Sequence, residues 1–158
     1  MKVFTFLAVC AFVCGMAGAP AFAAQGVKIE FAKPEAAVEY RQSALYLMGN
    51  HFGRIKAQLD VSKPDLDVIR SSAALVDVLK ALPFEAFVPG TEDVGDSAAK
   101  PEIWTDNERF MKLAHEMQDK VSVLNAAARS GDVKAIRTAF GDAGKACKNC
   151  HEDFRKKR

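Results

Sequence analysis

The sequence lacks several features that would assign it to a special class of protein. No apolar run reaches the 18 or so residues of a membrane-spanning helix. Its 10 glycines and 6 prolines are too few for a collagen-like or linker-like chain. A net charge of only +2 gives no strong field that would attract nucleic acid. With 158 residues, 49% of them hydrophobic and 27% charged, we expect one globular domain with neither nucleic acid nor a membrane as its partner.

Cysteine is also scarce, and two of the 4 cysteines, Cys10 and Cys14, lie in an N-terminal segment typical of a secretory signal peptide. Residues 1–23 combine a charged start, about a dozen apolar residues and a small-x-small end. We place cleavage after Ala23, which gives a signal peptide 1–23 and a mature domain 24–158 exported to the periplasm. The alternative is a buried N-terminal helix.

Four later segments have apolar residues at spacings of three and four, which is the pattern of amphipathic helices. They cover 34–59, 64–82, a third stretch that follows a capping-box pattern at Thr105 and Glu108, and 133–154. Residues 83–104 contain several prolines and glycines, which predicts a long, functional loop. No strand alternation is present. The pattern predicts an all-α fold, an antiparallel four-helix bundle, with an irregular all-α domain as the alternative.

The last two cysteines belong to Cys147-Lys148-Asn149-Cys150-His151, the C-x-x-C-H pattern of covalent haem attachment. On a helix, positions i, i+3 and i+4 share one face. Two thiols there can form thioethers with the two vinyl groups of a porphyrin, and the adjacent imidazole can reach the iron. The motif lies on the apolar stripe of the fourth segment, so the haem edge would be fastened inside the bundle.

Other uses of this cysteine pair fit less well. A thioredoxin-like redox motif requires a βαβ context. A tetrahedral zinc site requires a second pair of ligands, for which only His51 and His115 remain. We therefore predict one covalent haem c per chain, attached to Cys147 and Cys150, with His151 as the axial iron ligand.

A haem motif on the last helix of an exported bundle resembles the cytochrome c′ family. Four stretches carry the resemblance over essentially the whole mature chain: FAKPEAAVEYRQSALYLMGNHFGR (31–54), ALPFEAFVPGTE (81–92), PEIW (101–104) and AFGDAGKACKNCHEDFRKK (139–157). The resemblance implies an antiparallel four-helix bundle with covalently bound haem c.

The first helix is expected to face the haem, because its stripe is the other strongly apolar one. Arg41 on that stripe requires an anionic partner, such as a haem propionate, or lies at the solvent edge of the bundle. The resemblance favours the propionate. It also implies that Leu45, which has no donor atom, lies over the distal haem face, so that His151 is the iron's one protein ligand. Met48 is either a reserve ligand or a core residue that fills the distal pocket.

The resemblance assigns further residues to the haem pocket. It implies haem binding by Gln42, and a distal wall formed by Phe84 and Phe87, which could equally anchor the loop in the core. Arg155 matches an arginine beside the axial histidine. Alternatively, Arg155 is a solvated member of the basic tail.

A haem protein of this kind belongs to one of three classes of function. A five-coordinate iron in an apolar pocket predicts binding of NO and CO rather than O₂, which profits from a distal donor; nitrosative-stress protection or gas sensing is what the resemblance implies. The alternative is an electron-transfer cytochrome with a six-coordinate iron, whose basic tail docks an acidic redox partner. An enzyme such as a peroxidase would need a distal acid–base residue, so we expect no enzyme activity.

The first helix carries a second apolar set outside the haem-facing stripe, consisting of Val38, Tyr40, Ala44 and Leu47. An exposed apolar patch on a protein of this kind usually marks an interface. The resemblance implies pairing through the first two helices, so we predict a two-fold symmetric homodimer. If Val38 and Leu47 instead pack on neighbouring helices, the chain is a monomer.

Overall fold

The computed structural model describes residues 29–157, so the predicted signal peptide lies outside the described residues. Within that range the regular secondary structure consists of helices and one isolated β-bridge, and none of the described helices has both the length and the apolarity of a membrane span. A 3₁₀-helix, Leu82–Ala86, follows the second α-helix. The α-helices are α1 (Pro34–Leu59), α2 (Leu66–Leu79), α3 (Glu102–Thr105), α4 (Asn107–Ser130) and α5 (Val133–Phe154).

Local signals set the ends of the four long helices. The side chains of Asp65 and Asp132 accept hydrogen bonds from the backbone N–H groups two and three residues later and so cap α2 and α5. Pro34 lies in the first turn of α1, where its missing N–H has no helical partner to lose. Gly131 takes a φ of +76° and ends α4. The connections from α1 to α2 and from α4 to α5 are therefore short, and each pair is antiparallel.

Two predicted helix starts were wrong. The second helix begins two residues after Pro64, because the Asp65 side chain satisfies the first N–H groups from a position just before the helix. The predicted capping box of Thr105 and Glu108 does not form. Thr105 is the last residue of the single-turn helix α3, and Asp106, which precedes α4, makes no side-chain cap.

The long helices pack one after another, with α1 against α2, α2 against α4 and α4 against α5. Their apolar stripes meet in a core formed by α2, the C-terminal halves of α1 and α4 and the N-terminal half of α5. This confirms the predicted antiparallel four-helix bundle. Its buried side chains include Ile55, Leu59, Ile69, Ala73, Val76, Val121, Leu124, Ala128, Ile136 and Ala139.

A polar cluster joins α2 to α4. The carboxylate of Asp77 accepts hydrogen bonds from Ser122 Oγ at 3.1 Å and Asn125 Nδ2 at 2.8 Å, and it pairs with Lys80 at 2.6 Å. Burial alone would raise the pKa of Asp77, but the hydrogen bonds from Lys80, Asn125 and Ser122 outweigh burial and lower that pKa.

The segment between α2 and α4 is only partly the loop that the sequence predicts. It begins with the 3₁₀-helix and ends with α3, and both pack against the bundle. Between them the backbone turns at Gly90 and Gly95, whose φ angles of 84° and 59° favour glycine. We call residues 82–101 the connecting segment; it packs against α1 and reaches α5 at the opposite end of the bundle from the core.

Candidate cofactor-binding site

A cavity of about 700 Å³ lies at the end of the bundle that the core does not fill. Its volume falls in the range of cofactor sites, roughly 300–1,000 Å³. Residues 41–52 of α1, the N-terminal half of α4, the C-terminal half of α5, the connecting segment and Ile103 of α3 form its walls. All the residues that the sequence predicts at the site line this one cavity: Arg41, Gln42, Leu45, Met48, Phe84, Phe87, Cys147, Cys150, His151 and Arg155.

The α5 wall carries the C-x-x-C-H motif. Cys147 and Cys150 are half-buried and not joined in a disulfide. Burial raises the pKa of the Cys147 thiol, and burial together with the charges of Cys147 and Asp153 raises the pKa of Cys150 to about 11. These shifts favour the neutral thiol at both positions, and the net addition of an S–H group across a vinyl double bond gives a thioether.

His151 is the third member of this wall. Partial burial and the nearby charge of Arg155 lower the pKa of His151, which favours the neutral imidazole. A neutral ring keeps a nitrogen lone pair for a metal. Within residues 29–157, no group of three His, Cys, Asp or Glu side chains could hold a metal ion by itself. An iron beside His151 would therefore need its other ligands from a cofactor, and a porphyrin fits that need.

One turn before Cys147, Gly144 also lines the cavity. A Cβ added at Gly144, or at the neighbouring Gly141, would meet no atom within 4 Å. Neither glycine is thus required by close packing of another helix. The bare backbone at Gly144 leaves the α5 wall flat beside the two thiols, which suits a planar ring system.

The α1 wall presents Leu45, Met48 and Phe52 to the cavity. Leu45 is 38% exposed, whereas Met48 is 6% exposed and belongs to the packed core. Phe52 stacks on Phe140 of α5, with ring centroids 5.0 Å apart, and marks where the cavity ends and the core begins. These three α1 side chains are apolar.

Aromatic rings form the wall next to the connecting segment. Phe84 and Phe87 pack around Phe110 of α4 with centroid distances of 5.7 and 5.0 Å, and Phe110 contacts Phe154 of α5 at 5.3 Å. Phe84 and Phe87 therefore anchor the segment and also line the cavity, as a distal wall would require. Phe110 lies on the predicted α4 stripe, but nothing in its spacing marks it as the centre of this cluster.

Arg41 is buried, with 2% of its surface exposed, so the interpretation that placed it at the solvent edge was wrong. Its guanidinium donates to Ala86 O at 3.0 Å, Thr91 Oγ1 at 2.7 Å, Thr91 O at 2.8 Å and Ser97 Oγ at 3.0 Å. It also lies 4.6 Å from the ring centroid of Phe87. The four acceptors are neutral, so burial of this arginine does not require an anionic partner. Burial lowers the pKa of Arg41, while Glu92 opposes that shift.

Two polar neighbours of Arg41 extend this contact with the connecting segment. Gln42 Nε2 donates to Asp96 O at 3.0 Å, and Tyr40 Oη donates to Glu85 Oε2 at 3.5 Å. Three consecutive residues of α1 thus hold the connecting segment at separate points. Sequence reasoning missed the segment's own contribution to the cavity, residues 96–99, because no periodic pattern marks it.

His51 and His115 do not line the cavity. His51 faces α2, where its Nδ1 lies 3.3 Å from Ser72 Oγ. His115 is exposed. On α4, by contrast, Met117 is 5% exposed and lines the cavity, which the sequence analysis did not predict although Met117 lies on the apolar stripe.

The sequence is similar to known proteins over this whole bundle. Residues 36–155 match the family model described as Cytochrome C'. The cytochrome c′ of Alcaligenes xylosoxydans xylosoxydans is 48% identical over 130 residues, which are 82% of this chain and 100% of the relative. That of Rubrivivax gelatinosus is 43% identical over 129 residues, 81% of this chain and 100% of the relative.

Solved structures agree with this similarity. The crystal structure of cytochrome c′ from Rubrivivax gelatinosus superposes with a TM-score of 0.77 at 42% identity and covers 80% of this chain and 100% of that chain. A ferrous variant of the Alcaligenes xylosoxidans protein with bound NO superposes with a TM-score of 0.75 at 45% identity and covers 82% of this chain and 100% of that one. The region matched by the family includes every predicted cavity residue.

Proposed function

Because this chain belongs to the cytochrome c′ family, whose cofactor is haem c, we propose that it binds NO and CO at a five-coordinate haem iron. Cys147 and Cys150 form the two thioethers, and His151 is the iron's one protein ligand. When bound, haem c supplies an iron that takes a diatomic gas and accepts one electron. The proposed role is protection against nitrosative stress or gas sensing.

The observation that carries this proposal is the position of Leu45. It lines the cavity from α1, while His151 lines it from α5. The isobutyl side chain of Leu45 has no lone pair, so the wall that faces the haem from α1 presents a hydrocarbon where a six-coordinate cytochrome needs a ligand. The apolar neighbours Met48 and Phe52 keep water away from this side.

The same wall supports discrimination between gases. Bound O₂ is stabilised by a hydrogen bond from the distal side, whereas NO and CO depend on it less. Leu45, Phe52 and Phe84 carry no hydrogen-bond donor, and the guanidinium of Arg41 is engaged by the oxygens of the connecting segment. We therefore expect the protein to favour NO and CO.

Electron transfer with a six-coordinate iron is the second candidate function. The observation in its favour is that Met48 and Met117 both line the cavity and carry a thioether. Both are packed in the core cluster, however, and are only 6% and 5% exposed. Either would have to give up its packing to bind the iron, which makes this the weaker candidate.

A peroxidase-like activity is the least supported function, because neither His51 nor His115 lines the cavity. Cleavage of a peroxide needs a distal group that moves protons. His51 is turned toward Ser72, and His115 lies on the surface. We therefore propose that the protein binds diatomic gases and that its haem accepts or donates single electrons. We also propose that it is not an enzyme.

Spectroscopy of the haem-loaded protein tests the proposal. The ferric protein should give a high-spin absorption and electron paramagnetic resonance spectrum, and the ferrous protein should bind NO and CO. Leu45→Met should convert the iron to six-coordinate low spin and weaken CO binding, because CO must then displace a thioether. Leu47→Met is the matched control, since Leu47 lies on the same helix and does not line the cavity. A low-spin wild type with a methionine–iron charge-transfer band would contradict the proposal.

We also propose export to the periplasm, where thiols and haem are joined, with the signal peptide 1–23 removed. The mature protein, residues 24–158, would form the bundle domain. The mass of the protein isolated from a periplasmic fraction tests this, and a mature chain that begins at Ala24 is expected. A full-length chain that stays in the cytoplasm without haem would refute it.

A second copy of the chain is the proposed partner. The predicted apolar set is only partly exposed, since Val38 and Ala44 are buried and Leu47 is 45% exposed. Leu47 instead belongs to a groove between α1 and α2 that also includes Leu79 and Leu82. We propose that this groove pairs with its copy about a two-fold axis. Sedimentation should give the mass of a dimer, which Leu47→Glu breaks and Val123→Glu, at an exposed position of α4, does not. A monomeric wild type would reject the dimer.

A further inference from the structure

The last turn of α5 carries His151, and most of its terminal carbonyls accept hydrogen bonds from a residue outside the helix. Every α-helix leaves its last four carbonyls without partners inside the helix. In α5 these carbonyls belong to residues 151–154. The backbone N–H of Arg155 donates to the carbonyl of His151 at 3.1 Å. The other three carbonyls all accept hydrogen bonds from Lys100, near the end of the connecting segment.

Lys100 makes these contacts with both its side chain and its backbone. Its Nζ donates to Glu152 O at 3.1 Å and to Asp153 O at 2.9 Å. Its backbone N–H donates to Phe154 O at 3.0 Å. A cation at a helix C-terminus is also favoured by the helix dipole. A single residue, distant in the sequence, thus satisfies the end of the helix that bears the C-x-x-C-H motif.

The neighbours of Lys100 extend the contact to the cavity wall. Ala99 pairs with Arg155 in an antiparallel bridge, and the backbone N–H of Lys156 donates to Ala98 O at 2.8 Å. Ala98, Ala99 and Arg155 line the cavity, whereas Lys100 does not. The bridge gives Arg155 an extended backbone, with φ −116° and ψ 130°, directly after α5 ends. The position of Arg155 relative to His151 therefore depends on the connecting segment.

We infer that Lys100 is a positioning residue for His151 and Arg155. By donating hydrogen bonds to the last carbonyls of α5, Lys100 holds the backbone of His151 in place and so fixes the position and orientation of the imidazole at the cavity wall. By aligning Ala99 with Arg155, the same stretch sets where the guanidinium enters the cavity from that side. The inference rests on the proposed role of His151 as the iron ligand.

The test compares three variants of the haem-loaded protein. Lys100→Met keeps the aliphatic stem and the backbone N–H but removes the ammonium, and Lys100→Arg keeps a cation. Lys145→Met removes the same charge from an exposed position of α5, away from its C-terminus. Two properties are measured: amide hydrogen exchange of residues 152–156, and the iron–imidazole stretching band of the ferrous protein in resonance Raman spectra.

We expect amide exchange in the last turn to become about tenfold faster in Lys100→Met, as for the loss of a hydrogen bond from a charged donor. The iron–imidazole band should shift or broaden. In Lys100→Arg, the amide exchange rate and the iron–imidazole band should stay close to the wild-type values. In Lys145→Met, both should equal the wild-type values.

Each other outcome overturns a defined part of the inference. Unchanged exchange in Lys100→Met would show that Lys100 does not close the helix. Faster exchange with an unchanged band would reduce Lys100 to a structural cap and refute the positioning role. If the wild type has no iron–imidazole band, the proposed role of His151 fails, and the role of Lys100 toward the iron fails with it, whatever the exchange data show.

Discussion

Replacing Arg41 by methionine should be among the most destabilising single changes in the bundle. Methionine fills part of the same volume but donates no hydrogen bond. The hydroxyls of Thr91 and Ser97 can rotate toward other partners, and Thr91 Oγ1 already donates to Val88 O at 2.7 Å. The backbone carbonyls of Ala86 and Thr91 belong to fully buried residues and cannot move in this way.

Each buried acceptor left unsatisfied costs about 1 to 3 kcal/mol, so the two carbonyls together predict a loss of about 2 to 6 kcal/mol. A domain of this size has a total stability of roughly 5–15 kcal/mol, so the loss is a large share of it. The thermal midpoint should fall by about 10 °C or more. Arg41→Lys should lose less stability than Arg41→Met. A lysine ammonium can reach some of the acceptors that surround the planar guanidinium of the wild type, but not those on both of its sides.

Thermal and urea unfolding of the haem-loaded protein, followed by far-ultraviolet circular dichroism, measures these losses. Arg54→Met is the matched control, because Arg54 is an exposed arginine of the same helix whose side chain donates a hydrogen bond to Asn50. The free energy of unfolding of Arg54→Met should stay within about 0.5 kcal/mol of the wild-type value. If Arg41→Met and Arg54→Met lose the same stability, the buried contacts of Arg41 with the connecting segment do not stabilise the fold and the reasoning is refuted.

Two further predictions concern the motif and the polar cluster. Haem should survive acid–acetone extraction in the wild type, but the double variant Cys147→Ala/Cys150→Ala should carry no covalent haem and should lose helicity; extractable haem in the wild type would contradict thioether attachment. Because the pKa of Asp77 is lower in the folded protein than in the unfolded chain, its contribution is present above the unfolded value near 4 and is lost as the pH falls through the folded value. Asp77→Asn should therefore destabilise the protein by about 1 to 2 kcal/mol at pH 7 and have less effect at pH 3, measured by urea unfolding; an equal loss at both pH values would show that the charge of Asp77 does not matter.

The helices and the α5 wall could be predicted from the sequence because their signals are local. A stripe at spacings of three and four fixes which face of α5 is buried, and the C-x-x-C-H spacing places Cys147, Cys150 and His151 on that same face. The cap at Asp132 is equally local, since its side chain accepts hydrogen bonds from N–H groups two and three residues away. The cap at Asp65 is of the same kind but was missed, because Pro64 offered a competing helix start.

The partners of Arg41 and Lys100 could not be predicted in this way. An arginine on an apolar stripe indicates that it needs acceptors, but not where they come from. Here the acceptors are the oxygens of a segment whose path is set by turns at Gly90 and Gly95 and has no periodicity. Lys100 likewise follows no pattern, because its acceptors are carbonyls of a helix end more than fifty residues later.

The two ends of the bundle are therefore held by different forces. At the core end, apolar side chains of neighbouring helices pack directly, as Ile55, Ile69 and Leu124 do. At the cavity end, α1 and α5 are instead joined through the connecting segment, by Arg41 on one side and Lys100 on the other. Hydrogen bonds depend on direction and distance more sharply than apolar contacts do. They therefore fix the separation of the α1 and α5 walls of the cavity more closely than side-chain packing alone would. The cavity has His151 on one wall and Leu45 on the other, so its width depends on that separation. The polar contacts of Arg41 and Lys100 lie at the rim of the cavity, where they hold its walls in place.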